Sequence, residues 1–450
     1  MRRDINDTIA AIATAHGQGA IGIVRISGAE ALAVLGRVFR PMPAEILSHQ
    51  MYYGSICKDG EVVDEVMVCV MLSPRSFTRE DSVEIYAHGG QFVLGEVLGA
   101  VVENGARLAE AGEFTKRAFL NGRINLAQAE AVMDLIGAKS GAARRAALRQ
   151  LGGGLSQRIE TVRDKILQWL AHIELSIDYP EHEEEARNAS EILAEGGAVV
   201  ADLKKLYETA TTGRIIREGV RTAIIGRPNV GKSTLLNAIL HENRAIVHET
   251  AGTTRDVLTE EVRIADIPLV IMDTAGLRET SDPIEKIGIE KTHEAAQDAE
   301  LILYVADSTD GLTQEDKKII EGLGQSAKQI ILMNKSDLRE SDDKSDSIKI
   351  SAKTGEGLDK LFTKIRELFL AGNIGEGAES DIITRERHKI LLEQSANHVT
   401  QAMQELQNGI PEDLVSVSLK AAYICLGEIL GVEIGDDIVD RIFSEFCVGK

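Results

Sequence analysis

The stretch Gly226-Arg227-Pro228-Asn229-Val230-Gly231-Lys232-Ser233 decides the fold of the central part of this 450-residue chain. It has the pattern GxxxxGK[ST], follows an apolar run from Thr222 to Ile225 and precedes a helical pattern, which is the context of a phosphate-binding loop. The glycines let backbone N–H groups turn toward phosphates, Lys232 can reach the β- and γ-phosphate oxygens, and the Ser233 hydroxyl can bind Mg²⁺. The sequence therefore predicts a nucleoside triphosphate site in an α/β domain.

Three further motifs follow in the order that is typical of a GTPase. In Asp273-Thr274-Ala275-Gly276 the Asp could hold Mg²⁺ through water, and the Gly N–H could contact the γ-phosphate. In Asn334-Lys335-Ser336-Asp337 the Asp carboxylate could pair with the guanine N–H groups, which adenine does not present. Ser351-Ala352-Lys353 would complete the guanine pocket. We therefore predict GTP rather than ATP as the ligand.

The segment Gly252-Thr253-Thr254-Arg255-Asp256 is a candidate switch loop, in which Thr254 would bind Mg²⁺ and the γ-phosphate. An ordinary solvated turn is the alternative. Leu277 follows the Asp-Thr-Ala-Gly motif, where many small GTPases carry a glutamine that positions water. Leucine cannot orient water, so another group must do so or hydrolysis would be very slow. A cation near the β/γ-phosphates could replace the charge of an arginine finger.

The flanking segments have different patterns. Residues 1–120 alternate as mixed α and β, with a hairpin turn at Lys58-Asp59-Gly60 and a helix predicted over 91–103. Residues 121–217 and 373–450 are helical, and the α/β domain occupies 218–372. Because neither helical flank makes a convincing core alone, we interpret the α/β domain as an insertion into one helical domain. Apolar residues at steps of three and four predict a buried helical stripe at Ile159, Val162, Ile166, Leu170, Ile173 and Ile177. Three consecutive glycines, Gly152-Gly153-Gly154, predict a kink or break in the helical stretch before it.

Composition limits the function classes. The four cysteines form no CxxC pair and no zinc spacing, which argues against a disulfide scaffold. The start lacks a signal peptide pattern, and the uncharged run Thr8–Val24 predicts strand–loop–strand rather than a membrane span. We therefore expect a cytoplasmic protein without a membrane partner.

The charge is unevenly distributed. The net charge of −21 excludes a uniformly basic nucleic-acid binder. Residues 105–165 nevertheless carry eleven basic and six acidic side chains, so this stretch is the best place for contact with RNA phosphates. A solvated helical face is the alternative. The arginines singled out there are Arg144, Arg145, Arg149, Arg158 and Arg163.

Blocks along nearly the whole chain resemble one family. They include Gly22-Ile23-Val24-Arg25-Ile26-Ser27-Gly28, Phe77-Thr78-Arg79-Glu80-Asp81, Gly112–Asn121, Leu126–Ala131 and the closing Phe446-Cys447-Val448-Gly449-Lys450. In this order around an inserted G domain, they are similar to the bacterial tRNA modification GTPases called MnmE or TrmE. The resemblance implies a multidomain fold: an N-terminal α+β folate-binding-like domain, then a helical domain with a Ras-like P-loop GTPase domain inserted in it.

For the G domain, the resemblance implies dimerisation across the nucleotide face when K⁺ is bound. Asn229, His248, Thr250 and Thr253 match the positions that supply oxygens to K⁺. Glu285 matches a glutamate that orients the attacking water through a second water; a solvated loop charge is the alternative. Mg²⁺ would be held by Ser233 and Thr254. The residues predicted to bind GTP are Asn229, Val230, Gly231, Lys232, Ser233, Thr234, His248, Glu249, Thr250, Ala251, Gly252, Thr253, Thr254, Asp273, Thr274, Ala275, Gly276, Asn334, Lys335, Asp337, Ser351, Ala352 and Lys353.

For the remaining segments, the resemblance implies a formyl- or methylene-tetrahydrofolate site. Arg25, Glu84, Arg123 and Lys450 match its contacts, and Cys447 matches a reactive thiol in the Cys-x-Gly-Lys tail. It also implies a homodimer that forms a heterotetramer with an MnmG-type FAD-binding partner. Together they would add a carboxymethylaminomethyl or aminomethyl group to the wobble uridine of certain tRNAs.

Two other hypotheses fit the G-domain motifs. An Era-like ribosome-assembly or signalling GTPase would share them, but it predicts an RNA-binding appendage and no affinity for folate. A scaffold with a vestigial GTPase predicts no turnover.

Overall fold

The computed structural model describes residues 7–178, 185–242, 260–264, 266–272, 297–323, 327–338, 347–370 and 381–449. The chain divides into two compact units. One comprises Met1–Met133, Gln150–His182 and Ser416–Lys450, and the other comprises Asp134–Arg149 and Glu183–Val415. The helices, in chain order, are Ala31–Val38, Gln91–Glu103, Glu113–Leu120, Leu126–Ile136, Gly141–Leu151, Gly154–Asp178, Glu185–Glu208, Ala210–Glu218, Lys232–Glu242, Gln314–Gly322, Leu358–Leu370, Glu386–Gln407, Glu412–Leu430 and Asp436–Ser444.

A mixed sheet organises the N-terminal part of the first unit. Its strands are β1 (Ile9–Ile12), β2 (Ile21–Ser27), β3 (Phe39–Arg40), β4 (Gln50–Lys58), β5 (Glu61–Met71), β6 (Ser82–His88) and β7 (Arg107–Leu108). Within the described residues their order is β3-β4-β5-β6-β2-β1-β7. Asp59 and Gly60 have φ of 51° and 87°, so both adopt the left-handed conformation that a tight hairpin turn requires. This confirms the predicted turn between β4 and β5, and β1 and β2 confirm strand–loop–strand over Thr8–Val24.

One face of this sheet carries the core of the region. Alternate side chains of β2 and β6, such as Val24, Ile26, Val83 and Ile85, are fully buried because successive residues of a strand point to opposite faces. The helices Ala31–Val38 and Gln91–Glu103 cover that face. The second helix begins and ends at the predicted bounds 91 and 103.

The predicted stripe on the helix Gly154–Asp178 is largely correct. Ile159, Ile166 and Ile173 are fully buried, and Val162 and Leu170 nearly so. Ile177 is half exposed, whereas the adjacent Ser176 is buried, so the assignment of Ile177 to the stripe is wrong and the buried face passes through Ser176 instead. The preceding helix ends at Leu151, which confirms the break predicted from three consecutive glycines.

The helical segments before and after residues 218–372 pack against each other. The helix Glu185–Glu208 lies along Glu386–Gln407, and a Cβ atom on Gly196 would meet the Met403 sulfur at 2.7 Å. This packing supports the interpretation of an inserted α/β domain. The domain boundaries at 120, 217 and 372 stay predictions. The described part of the chain contains no helix with the length and hydrophobicity that a membrane-spanning segment requires.

The α/β domain is a largely parallel sheet. Its strands are β8 (Val220–Ile225), β9 (Glu260–Ile264), β10 (Ile267–Ile271), β11 (Leu301–Asp307), β12 (Lys328–Asn334) and β13 (Ile348–Lys349). They are ordered β13-β12-β11-β8-β10-β9 within the described segments, and the β9–β10 pair is antiparallel. Every residue of β11 is buried, as expected for a strand covered on both faces. Ligands of such sheets bind beyond the carboxyl ends of the strands, which is where β8 and β12 deliver the predicted motifs.

Candidate functional site

The phosphate loop connects β8 to the eleven-residue helix Lys232–Glu242. Gly226 and Gly231 have φ of 157° and 98°. A Cβ atom on Gly226 would collide with the Val305 carbonyl, and one on Gly231 would collide with the Asn334 amide. Only glycine therefore fits both positions. The loop ends at a helix N-terminus, whose free N–H groups favour an anion.

Lys232 lies folded over this loop. Its ammonium donates to the carbonyl oxygens of Gly226 and Arg227, both at 2.8 Å. Burial lowers the pKa of Lys232 because removal from water disfavours the charged form. A phosphate oxygen arriving in the loop would restore the favourable environment of the charge. Ser233 is half-buried in the first helical turn, and Thr234 beside it is exposed.

Asn334 connects the phosphate loop to the predicted guanine pocket. Its side chain is buried, donates to the Val230 carbonyl at 2.8 Å and accepts from the Ala352 N–H at 2.9 Å. The neighbouring Lys335 donates to the Asn229 carbonyl at 3.0 Å. Residues separated by more than one hundred positions are thus held together by the side chains of one motif.

The carboxylate of Asp337, which is predicted to recognise guanine, is also held in place. The buried Ser351 hydroxyl donates to one oxygen of Asp337 at 2.7 Å, and the Ser336 N–H donates to the Ile350 carbonyl. Lys353 follows on the same loop. A carboxylate held in place in this way can accept the N–H groups of guanine.

Two polar connections behind the loop were not predicted. Arg227 donates to the fully buried Asp316 at 3.0 Å, and Asp316 also accepts from the Tyr304 hydroxyl at 2.8 Å. Lys335 pairs with Asp307 at 2.6 Å. The capping pattern Thr313-x-x-Asp316 before a helix was visible in the sequence, but its link to Arg227 depends on the packing of distant segments.

Several predicted residues lie outside the described residues, and their roles stay predictions. They are His248, Glu249, Thr250, Ala251, Gly252, Thr253, Thr254, Asp273, Thr274, Ala275, Gly276, Glu285 and Lys450.

The structure brings together two of the predicted N-terminal ligand contacts. Arg25 on β2 pairs with Glu84 on the adjacent β6 at 2.7 Å, and both side chains are mostly buried. Glu84 also accepts from the Tyr86 hydroxyl at 2.7 Å. Burial and this carboxylate raise the pKa of Tyr86 to about 12. The Arg25 guanidinium lies 5.6 Å from the Phe114 ring centre.

The C-terminal tail reaches the same place. Arg25 donates to the Gly449 carbonyl at 3.2 Å, and the Gly112 N–H donates to the Cys447 carbonyl at 3.2 Å. Val448 forms a bridge with Ala111. The Cys447 side chain is exposed. The tail thus adds a short backbone edge beside Arg25, with the thiol accessible to solvent.

Arg25, Glu84, Phe114 and the C-terminal tail form the Arg25–Glu84 cluster, and Arg123 lies near it. It donates to the Ser76 carbonyl at 2.7 Å and lies 4.9 Å from the Phe77 ring centre. Phe77 packs against the small hydrophobic cluster that contains Phe114. Arg25 and Arg123 therefore flank neighbouring parts of one apolar surface.

A buried ionic network supports the cluster from behind, and sequence reasoning missed it. Arg117 is almost fully buried and pairs with Asp7 at 2.5 Å, Glu80 at 3.2 Å and Glu113 at 3.0 Å. Arg107 pairs with Asp7 and Glu113 as well. Burial alone would raise the pKa of Asp7, but the two arginines lower it below its ordinary value. Glu113 and Arg117 are four residues apart on one helix, but Asp7 and Glu80 are distant in the sequence, so no local pattern shows the whole network.

The basic stretch is only partly suited to phosphate contact. Arg144 and Arg145 are exposed, and Arg149 and Arg158 are half-buried. Arg163 is buried and stacks on the Tyr423 ring at 4.1 Å, so its assignment to an RNA-binding surface is wrong. A long side chain at a helix seam packs its stem and charge against an aromatic partner.

Comparisons with known proteins cover nearly the whole chain. The family model described as "GTP-binding protein TrmE N-terminus" matches residues 8–123, and the family model "MnmE helical domain" matches residues 126–447. The chain belongs to the MnmE family. The tRNA modification GTPase MnmE of Lactococcus lactis subsp. cremoris (strain MG1363) is 48% identical over 450 residues, which are 99% of this chain and 98% of the relative. That of Desulforamulus reducens is 45% identical over 462 residues, covering 99% of this chain and 100% of the relative.

This family comprises tRNA modification GTPases, and the phosphate loop and guanine motifs of the present chain are those of a GTP-binding protein. The alternative of an Era-like GTPase loses its support, because the matches extend over both flanks of the G domain.

Solved structures are similar over a smaller part. Era in complex with MgGDPNP and 16S ribosomal RNA nucleotides is 24% identical, with a TM-score of 0.27, over 40% of this chain and 66% of that one. The G domain of the T. maritima FeoB iron transporter is 26% identical, with a TM-score of 0.24, over 33% of this chain and 97% of that one.

The residues present fit a magnesium–nucleotide complex. The phosphate loop ends at the N-terminus of the helix Lys232–Glu242, and the Ser233 hydroxyl lies in its first turn. Ser233 would bind the ion, which supplies positive charge to the phosphates when bound. Of the predicted K⁺ ligands only Asn229 lies in the described part; it is exposed at the loop and has a φ of 62°.

Proposed function

We propose that this protein is a K⁺-stimulated GTPase that works in the cytoplasm as a homodimer. With an MnmG-type FAD-binding partner, in a heterotetramer, it would add a carboxymethylaminomethyl or aminomethyl group to the wobble uridine of certain tRNAs. The observation that carries the proposal is the junction at Asn334, which ties the phosphate loop to the guanine pocket in a chain of the MnmE family.

The chain's own residues divide the work of GTP hydrolysis. Lys232 would neutralise charge on the β/γ-phosphates, and the Ser233 and Thr254 hydroxyls would hold Mg²⁺. Asp337 would select guanine. Since Leu277 cannot orient water, Glu285 would do so, and K⁺ held by Asn229, His248, Thr250 and Thr253 would supply the charge of the missing arginine finger. GTP hydrolysis would drive association and opening of the G domains rather than the carbon chemistry.

A second site would take the folate that supplies the one-carbon unit. The Arg25–Glu84 pair supports this, because the Glu84 carboxylate can accept the two N–H groups of an aminopyrimidine edge. Arg123 and Lys450 would meet the carboxylates of the ligand. The docked tail would place the Cys447 thiol near the bound folate.

Turnover of GTP in KCl against NaCl tests the proposal most directly. We expect turnover at least about tenfold faster in KCl, since an arginine-finger charge supplies about 10³–10⁵ in rate. Glu285→Ala should abolish the stimulation, whereas the exposed Glu321→Ala should preserve it. Equal rates in both salts would contradict the K⁺-dependent mechanism.

The role of the tail is tested separately. Cys447→Ser should remove the wobble-uridine modification from cellular tRNA while GTP turnover stays normal, and Cys57→Ser is the matched control. Normal modification in the Cys447→Ser strain would argue against a reactive thiol.

A further inference from the structure

A cavity of about 560 Å³ lies beside the predicted folate contacts in the first unit. Arg75, Arg79 and Arg123 line it, together with His49 and the Phe77 ring. Its volume lies in the range of small-molecule sites, which combine apolar walls with a few polar groups. Three guanidinium groups around one cavity give it a strongly positive lining.

Two of these guanidinium groups rest on neutral partners. Arg79 donates to the Asn121 carbonyl at 3.0 Å, and Arg123 donates to the Ser76 carbonyl. Burial and the charge of Arg79 lower the pKa of Arg123, because both disfavour the charged form of its guanidinium. An anionic ligand would relieve this repulsion.

The acidic residues of the same loop are engaged elsewhere. Glu80 pairs with the buried Arg117 and accepts from the Ser27 hydroxyl at 2.7 Å. Asp81 accepts from the Ser73 N–H at 2.8 Å. The carboxylates of this loop thus bond to neighbouring protein groups, whereas its arginines line the cavity.

The loop holds Arg79 in a defined position. Arg79 has a φ of 61°, a conformation that costs free energy in a residue other than glycine and persists only where the surroundings impose it. The Ser73 hydroxyl donates to its carbonyl at 2.8 Å, and the Asn121 amide donates to the Thr78 carbonyl at 2.7 Å. Such preorganised forks bind carboxylates with little loss of entropy.

We propose that this cavity binds the oligocarboxylate end of a small molecule, namely the γ-linked glutamyl tail of a polyglutamylated folate. The inference rests on the folate site of the proposed function. Arg123 belongs to both, and Phe77 packs against the cluster that contains Phe114, over which Arg25 lies. A ligand whose aminopyrimidine meets Glu84 can therefore extend across this apolar surface and place its carboxylates among the three arginines.

Calorimetric titration of the full chain with mono- and triglutamyl 5-formyltetrahydrofolate tests the inference. We expect the triglutamate to bind at least about tenfold more tightly, since each charge-assisted hydrogen bond contributes enough free energy for such a change. In Arg75→Gln/Arg79→Gln the two ligands should bind equally, at the affinity that the wild type has for the monoglutamate. Arg79→Lys should keep part of the preference, because the charge remains without the fork.

Arg37→Gln is the matched control, because Arg37 is an exposed arginine that also donates to a backbone carbonyl, that of Asn104. Its preference for the triglutamate should be unchanged, and thermal unfolding should show every variant folded. Equal affinity of wild-type protein for both folates would overturn the cavity's role and leave the folate site intact. No binding of either folate would overturn both proposals.

A phosphate compound could satisfy the same arginines, so inorganic tripolyphosphate is titrated as well. If the triglutamyl folate displaces bound tripolyphosphate at a lower concentration than tripolyphosphate needs to displace bound triglutamyl folate, the result supports the glutamyl tail as the ligand. Tight binding of tripolyphosphate together with no preference for the triglutamate would overturn it.

Discussion

The phosphate loop and the Arg25–Glu84 cluster are built in different ways. The loop is one run of consecutive residues between a strand and a helix, so its geometry follows from two glycines and the helix N-terminus behind it. The cluster joins β2, β6, a helix and the C-terminal tail. Its polar groups meet only because the sheet order places β2 beside β6 and the tail returns to Arg25.

This difference predicts different sensitivities. A local site should lose function when a contacting side chain changes, with the fold intact. An assembled site depends in addition on the buried charges that hold its segments together, since a partner left buried without its counter-charge is costly. The variants below separate these two kinds of dependence.

The largest effect is expected from Arg117→Met. This change leaves Asp7, Glu80 and Glu113 near one another without the central guanidinium, and breaking a buried ion pair costs about 3–5 kcal/mol. Urea unfolding should report that loss. Lys116→Met is the control, because Lys116 forms a partly exposed pair with Asp440 and should change the free energy of unfolding by less than about 1 kcal/mol. Equal losses in both variants would show that the network does not hold the cluster together.

Lys232→Ala should reduce GTP turnover by about 10²–10³, the usual effect of removing one charge-stabilising donor. The free energy of unfolding should stay nearly unchanged, because the bonds of Lys232 within the described part of the chain go to carbonyls of its own loop. Single-turnover kinetics measure the first effect. Lys317→Ala, at an exposed lysine of the same domain, should leave turnover as it is. Retained turnover in Lys232→Ala would contradict the phosphate-loop assignment.

Asp316→Asn tests whether the local site also has a distant support. Burial alone would raise the pKa of Asp316, but bonds from Thr313 and Tyr304 and the charge of Arg227 lower it below its ordinary value. The ionised carboxylate therefore stabilises the fold fully above the unfolded pKa of about 3.9, and this contribution is lost as pH falls through the lower folded pKa.

We expect Asp316→Asn to cost about 2–3 kcal/mol at pH 7 and to flatten the loss of stability between pH 5 and 3, measured by urea unfolding at each pH. Asp310→Asn is the control, since Asp310 is an exposed partner of the same Arg227 at 3.4 Å. If the free energy of unfolding of Asp316→Asn falls as steeply between pH 5 and 3 as that of the wild type, Asp316 is not the source of this loss.

The smallest effect is expected from Gly449→Ala. Gly449 has a φ of 87°, and an added Cβ atom would collide with the Ile12 carbonyl. The strain should displace the tail and weaken folate binding by about tenfold without changing GTP turnover. Gly435→Ala is the control, because nothing lies near its added Cβ atom. Unchanged folate affinity in Gly449→Ala would show that the C-terminal tail does not contribute to the folate site.

Much of the secondary structure could be predicted because it depends on local patterns. The hairpin at Asp59-Gly60, the helix 91–103 and the glycine break before Gly154 were predicted correctly. The errors at Ile177 and Arg163 have a common reason: a periodic pattern shows roughly which side of a helix faces inward, but the packing partners decide which positions are buried and whether an arginine is among them. The long-range links in these networks, from Arg117 to Asp7 and from Arg227 to Asp316, could not be predicted, since 110 and 89 residues separate the partners.

The sequence alone determined the phosphate loop, the guanine motifs and the family, because these depend on residue types at fixed spacing along a few short segments. Only the tertiary structure decided which charges are paired and which are left to face a cavity. Arg25 and Arg117 pair with carboxylates, whereas Arg75, Arg79 and Arg123 line an open space. In the sequence all five are alike, and their difference depends on which groups folding brings near each guanidinium.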